Sequence, residues 1–316
     1  MKIGAKLSRS NQLIQLKDRM QAPNIPPLLS TGGYHDDFLA SLANAFNSQI
    51  VKCHDYTKFV VRSIDYINKI HNDCFYTMHD SAHHTRINSA GKIDQSKKIR
   101  QKFFSLKDDL YPYMLVNMRS GASFIRVDSK DSYTRISGTP IGLSFAWGLA
   151  RYQDYFTSTT QLKDAAVHGD NSGIDISVGD IYGGEYKNKA GVSMPPNMIA
   201  SAFGKLQHKT PEEIAQVNKN DVCRSMMIMV SVNILIFSKM IAQRENLKHI
   251  VWIGSHIDVL EYYEMLEFGA ENIYFPGNPA RLIFPTYGAF LAALGLLIAS
   301  NDGEPVTEQK EEKEEI

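Results

Sequence analysis

Cysteine is scarce in this sequence, net charge is absent, and no apolar run is long enough to cross a bilayer. Each shortage removes a class of protein. The three cysteines, Cys53, Cys74 and Cys223, form no Cys-x-x-Cys pair and cannot pair off evenly. A disulfide framework is therefore excluded, and a reducing compartment, the cytosol, is expected. The 34 basic and 34 acidic residues balance to a formal charge of zero and are scattered, so the basic face of a nucleic-acid binder is missing. The two most apolar stretches, SMMIMVSVNILIFSKM and YGAFLAALGLLIAS, fall short of the ~20 residues that span a bilayer and read as buried helices. The basic start, MKIGAKLSRSNQLIQLKDRM, has no continuous apolar segment, so it does not read as a secretory signal. The end, NDGEPVTEQKEEKEEI, is acidic and lacks aromatics, which predicts a solvated, disordered tail over 301–316.

What is present is ordinary globular material: 316 residues, 43% hydrophobic and 22% charged, enough for one large domain or two modest ones. Prolines and then glycines in APNIPPLLSTGG mark a boundary near Ser30, after an N-terminal extension. From Asp36 to His71, three- and four-residue apolar spacing predicts two helices, interrupted near Ile50 to His54. The polar segment from Asn72 to Lys98 predicts a long loop, so residues 31–104 form helices with a polar insertion. From Tyr111 to Pro140, β-branched and aromatic alternation broken by RSG and SKDS predicts adjacent hairpin strands.

Helices are expected next over GLSFAWGLARYQ and QLKDAAVHGD, then in a run ending at Gly183 and Gly184. After the Thr210 cap comes one long buried helix or two. HIVWIGS, ENIYFPG and ARLIFP read as strand pieces, and YGAFLAALGLLIAS as a core helix. A hairpin sheet flanked by helices, closed by a late strand–glycine–helix unit over 105–300, is α/β or α+β.

Several of these pieces resemble the eukaryotic-type, or type II, pantothenate kinases, which are actin-like ATPases related to the sugar kinases and Hsp70. They are YPYMLVNMRSGASFIRVDSKDSYTRISGTPIG, AAVHGDNSGIDISVGDIYGGEY, IASAFGK, IVWIGS and YGAFLAALGLL, in family order over roughly residues 105 to 298. LLSTGGYHDDF is similar to a shortened form of the family's CATGGGAYKFEKDF. The resemblance implies an actin-like α/β fold with a largely complete C-terminal domain. It also implies that the first domain is truncated, because the family's phosphate- and magnesium-binding DIGGT hairpin has no counterpart here.

The implied reaction is transfer of the ATP γ-phosphate to pantothenate, the first step of coenzyme A synthesis, with ATP and magnesium as cofactors and acetyl-CoA or another acyl-CoA as inhibitor. Implied partners are a second copy, or a full-length paralog, joined through the C-terminal half; the long helix Asp221 to Ala242 is a candidate interface and is otherwise simple core packing. Carried over position by position, the nucleotide residues are Ser120 and Gly121 in NMRSGAS; Gly138, Thr139 and Gly142 in GTPIGLSFAWGL; and Gly254 and Gly288 near the adenosine. In that second loop Leu143, Ser144 and Phe145 stand where the family has Gly, Gly and Thr. Leu and Phe disfavour the close approach of amides to phosphate that glycines allow. A fold-preserving turn without nucleotide is therefore expected.

Arg119, standing where the family has glycine, either binds an anion or blocks the pocket. Arg135 matches a family arginine that contacts pantothenate and acyl-CoA, and is otherwise a surface arginine paired with Asp128 or Asp131. The catalytic base falls at or near Asp55, which otherwise is a plain helix aspartate. Activity is expected to be weak or lost; the alternative is a non-catalytic regulator that binds acyl-CoA or pairs with an active kinase. Gly183 and Gly184 are expected to cap a helix, with Asp170 and Asp180 at helix starts. His71, Cys74, His79, His83 and His84 share one window, but their spacing matches no standard zinc site, and no metal is expected there.

Overall fold

The structure, a computed structural model, describes residues 28–31, 39–41, 43–44, 50–53, 55–78, 101–187, 189, 193–254, 266–267, 269–270 and 279–303. The chain divides into two compact units, Met1–Tyr66 with Phe290–Ile316, and Ile67–Ala289. The strands in chain order are β1 (Leu28–Thr31), β2 (Ile50–Cys53), β3 (Phe75–Thr77), β4 (Lys102–Phe104), β5 (Tyr113–Met118), β6 (Ala122–Ser129) and β7 (Ser132–Thr139). Short strands β8 (Ile176–Ser177), β9 (Tyr186–Lys187), β10 (Ser193–Met194) and β11 (Ile199–Ser201) precede β12 (His249–Ile253) and β13 (Arg281–Pro285). The helices are α1 (Tyr56–Ile70), α2 (Leu143–Tyr152), α3 (Thr159–His168), α4 (Val178–Tyr182), α5 (Pro211–Ala215), α6 (Lys219–Arg244) and α7 (Leu291–Asn301).

In the first unit, β1 and β2 pair in parallel, with Leu28 opposite Ile50 and Thr31 opposite Cys53. The interruption expected between two helices is thus the strand β2, where β-branched Ile50 and Val51 favour extended backbone. The second expected helix is α1, and residues 39–41 and 43–44 of the first are helical. Cys53, Phe59, Leu296 and Ala299 form a small core. Gly295 makes it possible, since a Cβ there would stand 1.8 Å from the Phe59 carbonyl oxygen.

The second unit is built on a seven-stranded sheet of order β4-β3-β13-β12-β5-β6-β7. β5, β6 and β7 form the expected antiparallel meander, and β12 lies parallel to both β5 and β13. The buried runs of β5 and β12 are nearly continuous, as strands covered on both faces require. Met114, Val116, Met118, Ile250 and Trp252 point to one face and pack against Leu143 and Ala146 of α2, Leu162 and Ala165 of α3, and Met227, Val230 and Ile234 of α6. This mixed sheet with packed helices agrees with the expected α/β class.

Two expectations need correction. The segment read as a loop contains β3, a three-residue strand that is too short for a periodic signal yet is buried at every position. The apolar stretch read as too short for a bilayer belongs to α6, a 26-residue helix long and apolar enough to cross one. Its apolar count stops early at the polar ends, while the helix continues from the Asn218 cap to Arg244. It packs into the core instead, and even its Arg224 and Lys239 are buried and hydrogen-bonded to protein. The region after Thr210 is two helices, α5 and α6, with Thr210 in a capping box that includes Glu213. ENIYFPG and the acidic tail beyond Gly303 lie outside the described residues.

Candidate functional site

Two loops interlock at one end of the second sheet. The turn Arg119–Gly121 joins β5 to β6, and Pro140–Gly142 joins β7 to α2. A Cβ on Gly142 would stand 2.4 Å from the Ser120 carbonyl oxygen, 2.6 Å from Gly121 Cα and 2.8 Å from the Arg119 carbonyl oxygen. A Cβ on Gly121 would stand 2.5 Å from the Thr139 carbonyl oxygen. Bare backbone is therefore needed on both sides of one contact. Hydrogen bonds lock it: the Leu143 amide donates to the Arg119 carbonyl at 2.9 Å and the Ser144 amide to the Ser120 carbonyl at 3.3 Å. The Phe145 amide donates to the Gly142 carbonyl at 3.1 Å, and the Ile141 amide to Thr139 Oγ1 at 3.1 Å. The first three amides of α2, the groups that ordinarily greet an anion at a helix start, all donate within the chain.

The bulky replacements take two directions. Leu143 is 7% exposed and packs into the main core, whereas Phe145 is 40% exposed on the outer side of α2. Leu143 therefore serves packing and does not obstruct the loop. Gly148 has nothing within 4 Å of an added Cβ, so no close approach requires it.

Gly254 joins the same end, since its Cβ would meet the Met118 carbonyl at 2.5 Å, just where β5 ends. Gly288 makes no comparable approach; its amide closes a turn onto the Pro285 carbonyl at 3.2 Å, and α7 starts only at Leu291. Ser255 lies outside the described residues. Arg119 is half-buried in its turn.

Arg135 is exposed on the edge strand β7, and its guanidinium lies over Gly138, with Nη2 2.2 Å from where a Cβ would be. The expected alternative pairing does not form: Asp128 takes Arg126 at 2.9 Å and Asp131 takes Lys130. Asp55 belongs to the first unit, immediately before α1, where its Oδ1 accepts the Lys58 amide at 2.9 Å. That is the N-cap bond of the helix.

Two polar residues not singled out by sequence lie on the Arg135 face. Asn117 of β5 stands opposite Ser123 of β6, and Ser123 opposite Gly138 of β7. Residues paired across antiparallel strands share a face, so Asn117, Ser123 and the Gly138 surface form one row. The Asn117 Oδ1 is buried without a hydrogen-bond partner. The signal was there, because Asn117 is the one polar side chain in the otherwise apolar YMLVNM.

The residue-level match now has an independent measure: the Fumble family, the type II pantothenate kinases, matches residues 4–299. The chain belongs to this family. Pantothenate kinase 1 of Arabidopsis thaliana is 38% identical over 204 residues, covering 64% of this chain and 52% of that protein. Pantothenate kinase 2 of Oryza sativa subsp. japonica is 37% identical over 194 residues, covering 61% of this chain and 21% of the relative. The pantothenate kinase of Schizosaccharomyces pombe is 34% identical over 149 residues, 46% of this chain and 36% of that one. The chain thus spans about half, or less, of the length of these curated relatives. Among solved structures, the ethanolamine utilization protein EutJ of Carboxydothermus hydrogenoformans aligns over 90% of this chain and 73% of its own, with TM-score 0.38 and 9% identity. Membership of the pantothenate kinase family rests on the sequence matches.

Within the family motif HGDNSGIDISVGDIYGGEY, the expected structural roles are the ones found. Asp170 caps a 3₁₀ turn through the Ser172 amide at 3.0 Å, and its own amide donates to Asp221 Oδ1 at 2.7 Å. Asp180 forms a capping box with Ser177 and an ion pair with Lys205 at 2.8 Å; the Lys205 bond, then those from Ser177, hold its carboxyl down at about 2. Gly183, at φ +76°, closes α4 in the left-handed conformation that suits glycine. Of the histidine-rich window, His79, His83 and His84 lie outside the described residues. Cys74 is buried, with Sγ 3.8 Å from both Asn68 Oδ1 and the Phe104 carbonyl oxygen; burial pushes its thiol up to about 11. His71 packs instead on the Tyr287 ring, centroids 6.2 Å apart.

Proposed function

We propose that this chain works in coenzyme A synthesis as a pantothenate kinase family member in which phosphoryl transfer from ATP to pantothenate is weak or lost. The observation that carries this is the commitment of the Leu143 and Ser144 amides to the Arg119 and Ser120 carbonyls. Phosphoryl transfer asks a protein for phosphate clamping, metal placement and a base. The loop Gly138–Leu149, folded onto the 119–121 turn, has its Leu143, Ser144 and Phe145 amides engaged within the chain and so offers a phosphate no amide clamp at the start of α2. Asp55, the family base by alignment, is occupied in capping α1.

A second reading has its own support. Arg135 is an exposed guanidinium over bare backbone, with both expected carboxylates engaged elsewhere, a surface suited to a carboxylate or phosphate. In that reading the chain binds pantothenate or an acyl-CoA and acts as a regulator, or as the dimer partner of an active kinase, in the cytosol. The candidate interface helix is α6, which exposes Phe237 and Met240.

The test is formation of 4′-phosphopantothenate by the purified chain with ATP, magnesium and pantothenate, read by mass spectrometry. No product above the protein-free blank is expected, together with a rise in melting temperature on adding acetyl-CoA. Many turnovers of product per chain, disappearing in Asp55→Ala, would overturn the proposal.

A further inference from the structure

The dipeptide Thr-Pro occurs twice in the chain, Ser-Pro does not occur, and the two copies have opposite surroundings. Thr139 ends β7 within the interlocked turns, where its Oγ1 accepts the Ile141 amide at 3.1 Å and its carbonyl oxygen lies against Gly121. Thr210 stands in the open. It has extended backbone, φ −71° and ψ 163°, and so has Lys209 before it, φ −85° and ψ 144°. Across residues 207–217 only Lys209 and Val217 are half-buried, the others are exposed, and α5 buries no side chain. The stretch is tied by local bonds: Thr210 Oγ1 accepts the Glu213 amide at 3.3 Å, and Glu213 Oε2 accepts the Thr210 amide at 2.8 Å. A five-residue helix with no buried side chain opens at little cost.

We propose that Thr210 is a phosphorylation site for a proline-directed serine/threonine protein kinase. Such a kinase takes its substrate as an extended segment, which Lys209 and Thr210 already are and α5 becomes on opening. Pro211 has no N–H to satisfy. A pocket without an acceptor at that point therefore takes proline freely, and leaves the N–H of any other residue unpaired at a cost of about tenfold. In the transfer step Thr210 Oγ1 attacks the γ-phosphorus of ATP bound to the kinase. The new O–P bond forms as the bond to the β,γ-bridging oxygen breaks; ADP leaves with that electron pair, and the hydroxyl proton passes to the catalytic aspartate of the kinase. The phosphate brings a charge of about −1.5 to −2 beside the Glu212 and Glu213 carboxylates. Like-charge repulsion then moves Glu213 Oε2 off the Thr210 amide and opens the capping box.

The experiment incubates the purified full chain with ATP, magnesium and two purified proline-directed kinases in turn, one mitogen-activated and one cyclin-dependent. Intact mass and phosphopeptide mass spectrometry read the product. Expected are one phosphoryl group per chain, on Thr210, and none on Thr139. Thr210→Val should take up none, and Pro211→Ala should take it up about tenfold more slowly. Because α5 buries no side chain, both variants keep the fold, which circular dichroism checks. Exchange of the Thr210 amide hydrogen should quicken in the modified chain. No incorporation into wild type by either kinase, or incorporation on Thr139 in place of Thr210, would overturn the proposal. So would incorporation on Thr210 at the wild-type rate in Pro211→Ala, which would make the modifying kinase one that does not read proline. Unchanged exchange of the Thr210 amide in the modified chain would overturn the opening of the capping box.

Discussion

Replacing Gly142 by alanine tests whether the glycines of GTPIGLSFAWGL are kept for their own chain or for a ligand. Gly142 has φ −165°, extended backbone that alanine adopts without strain, so any effect must come from the added methyl. That methyl would stand 2.4 Å from the Ser120 carbonyl oxygen, 2.6 Å from Gly121 Cα and 2.8 Å from the Arg119 carbonyl oxygen, all backbone atoms. Backbone cannot swing aside as a side chain can, so the two loops must separate. Separation breaks the Leu143 and Ser144 amide bonds, worth about 1 kcal/mol each, and overfilling the contact costs about 1–3 kcal/mol. The expected loss is about 3–5 kcal/mol, a large part of the stability of an ordinary domain. The control is Gly148→Ala, six residues along, where a methyl meets nothing within 4 Å and helix propensity predicts a gain of about 0.5–1 kcal/mol. Urea titration followed by tryptophan fluorescence reads the right part of the molecule, because both tryptophans, Trp147 and Trp252, lie in the second unit. Gly142→Ala unfolding at the wild-type urea concentration would refute the close-packing account and return those glycines to a ligand.

Three further outcomes are expected. Arg224, buried and donating to the Ala166 and Val167 carbonyls and to Asn171 Oδ1, joins α6 to the end of α3; Arg224→Met should lose about 3 kcal/mol in the same titration. Burial holds the His249 imidazole below its ordinary value of 6.5, against the opposing pull of Asp109. The unfolded chain therefore takes up the proton first, and stability present above pH 6.5 falls as the solution is acidified, a decline that His249→Phe should flatten in urea midpoints measured across pH. Asp55→Ala should cost about 1 kcal/mol of helix-cap energy and Asp55→Ser almost none, as followed by circular dichroism during unfolding.

The fold was largely legible because its main elements carry strong local signals. The meander reads from alternation broken at RSG and SKDS, and α4 ends at the glycine its left-handed cap requires. β3 escaped, since three residues give no period and its burial comes from strands far along the chain. At the site, the positions of Gly121, Gly138, Gly142 and Gly254 were legible, but the reason for them was not. Gly121, Gly142 and Gly254 are pressed against backbone more than ten residues away, and Gly138 lies under the Arg135 guanidinium; sequence spacing does not encode such contacts. The direction of Leu143 was not legible for a related reason. Its side chain points wherever the phase of α2 on the sheet sends it, and that is into the core. Asp55 had a readable alternative, an aspartate just before an apolar-periodic run, which is a helix-start signal before it is anything else.

Glycine in this loop therefore answers two demands that look identical in sequence. One is approach of the backbone to phosphate; the other is approach of the backbone to the turn beside it. Gly121 and Gly142 are required by the second whether or not the first is still met, so a chain that has ceased to bind nucleotide there would still have to keep them. The residues free to change are those that follow Gly142 into α2, where a side chain can turn into the core, as Leu143 does, or outward, as Phe145 does. It is at three such positions, Leu143, Ser144 and Phe145, that this chain departs from the family pattern, and at two of them the amide is already taken up by the neighbouring turn. The informative positions for nucleotide binding in this loop are thus the ones that changed, and the glycines that stayed report on the fold.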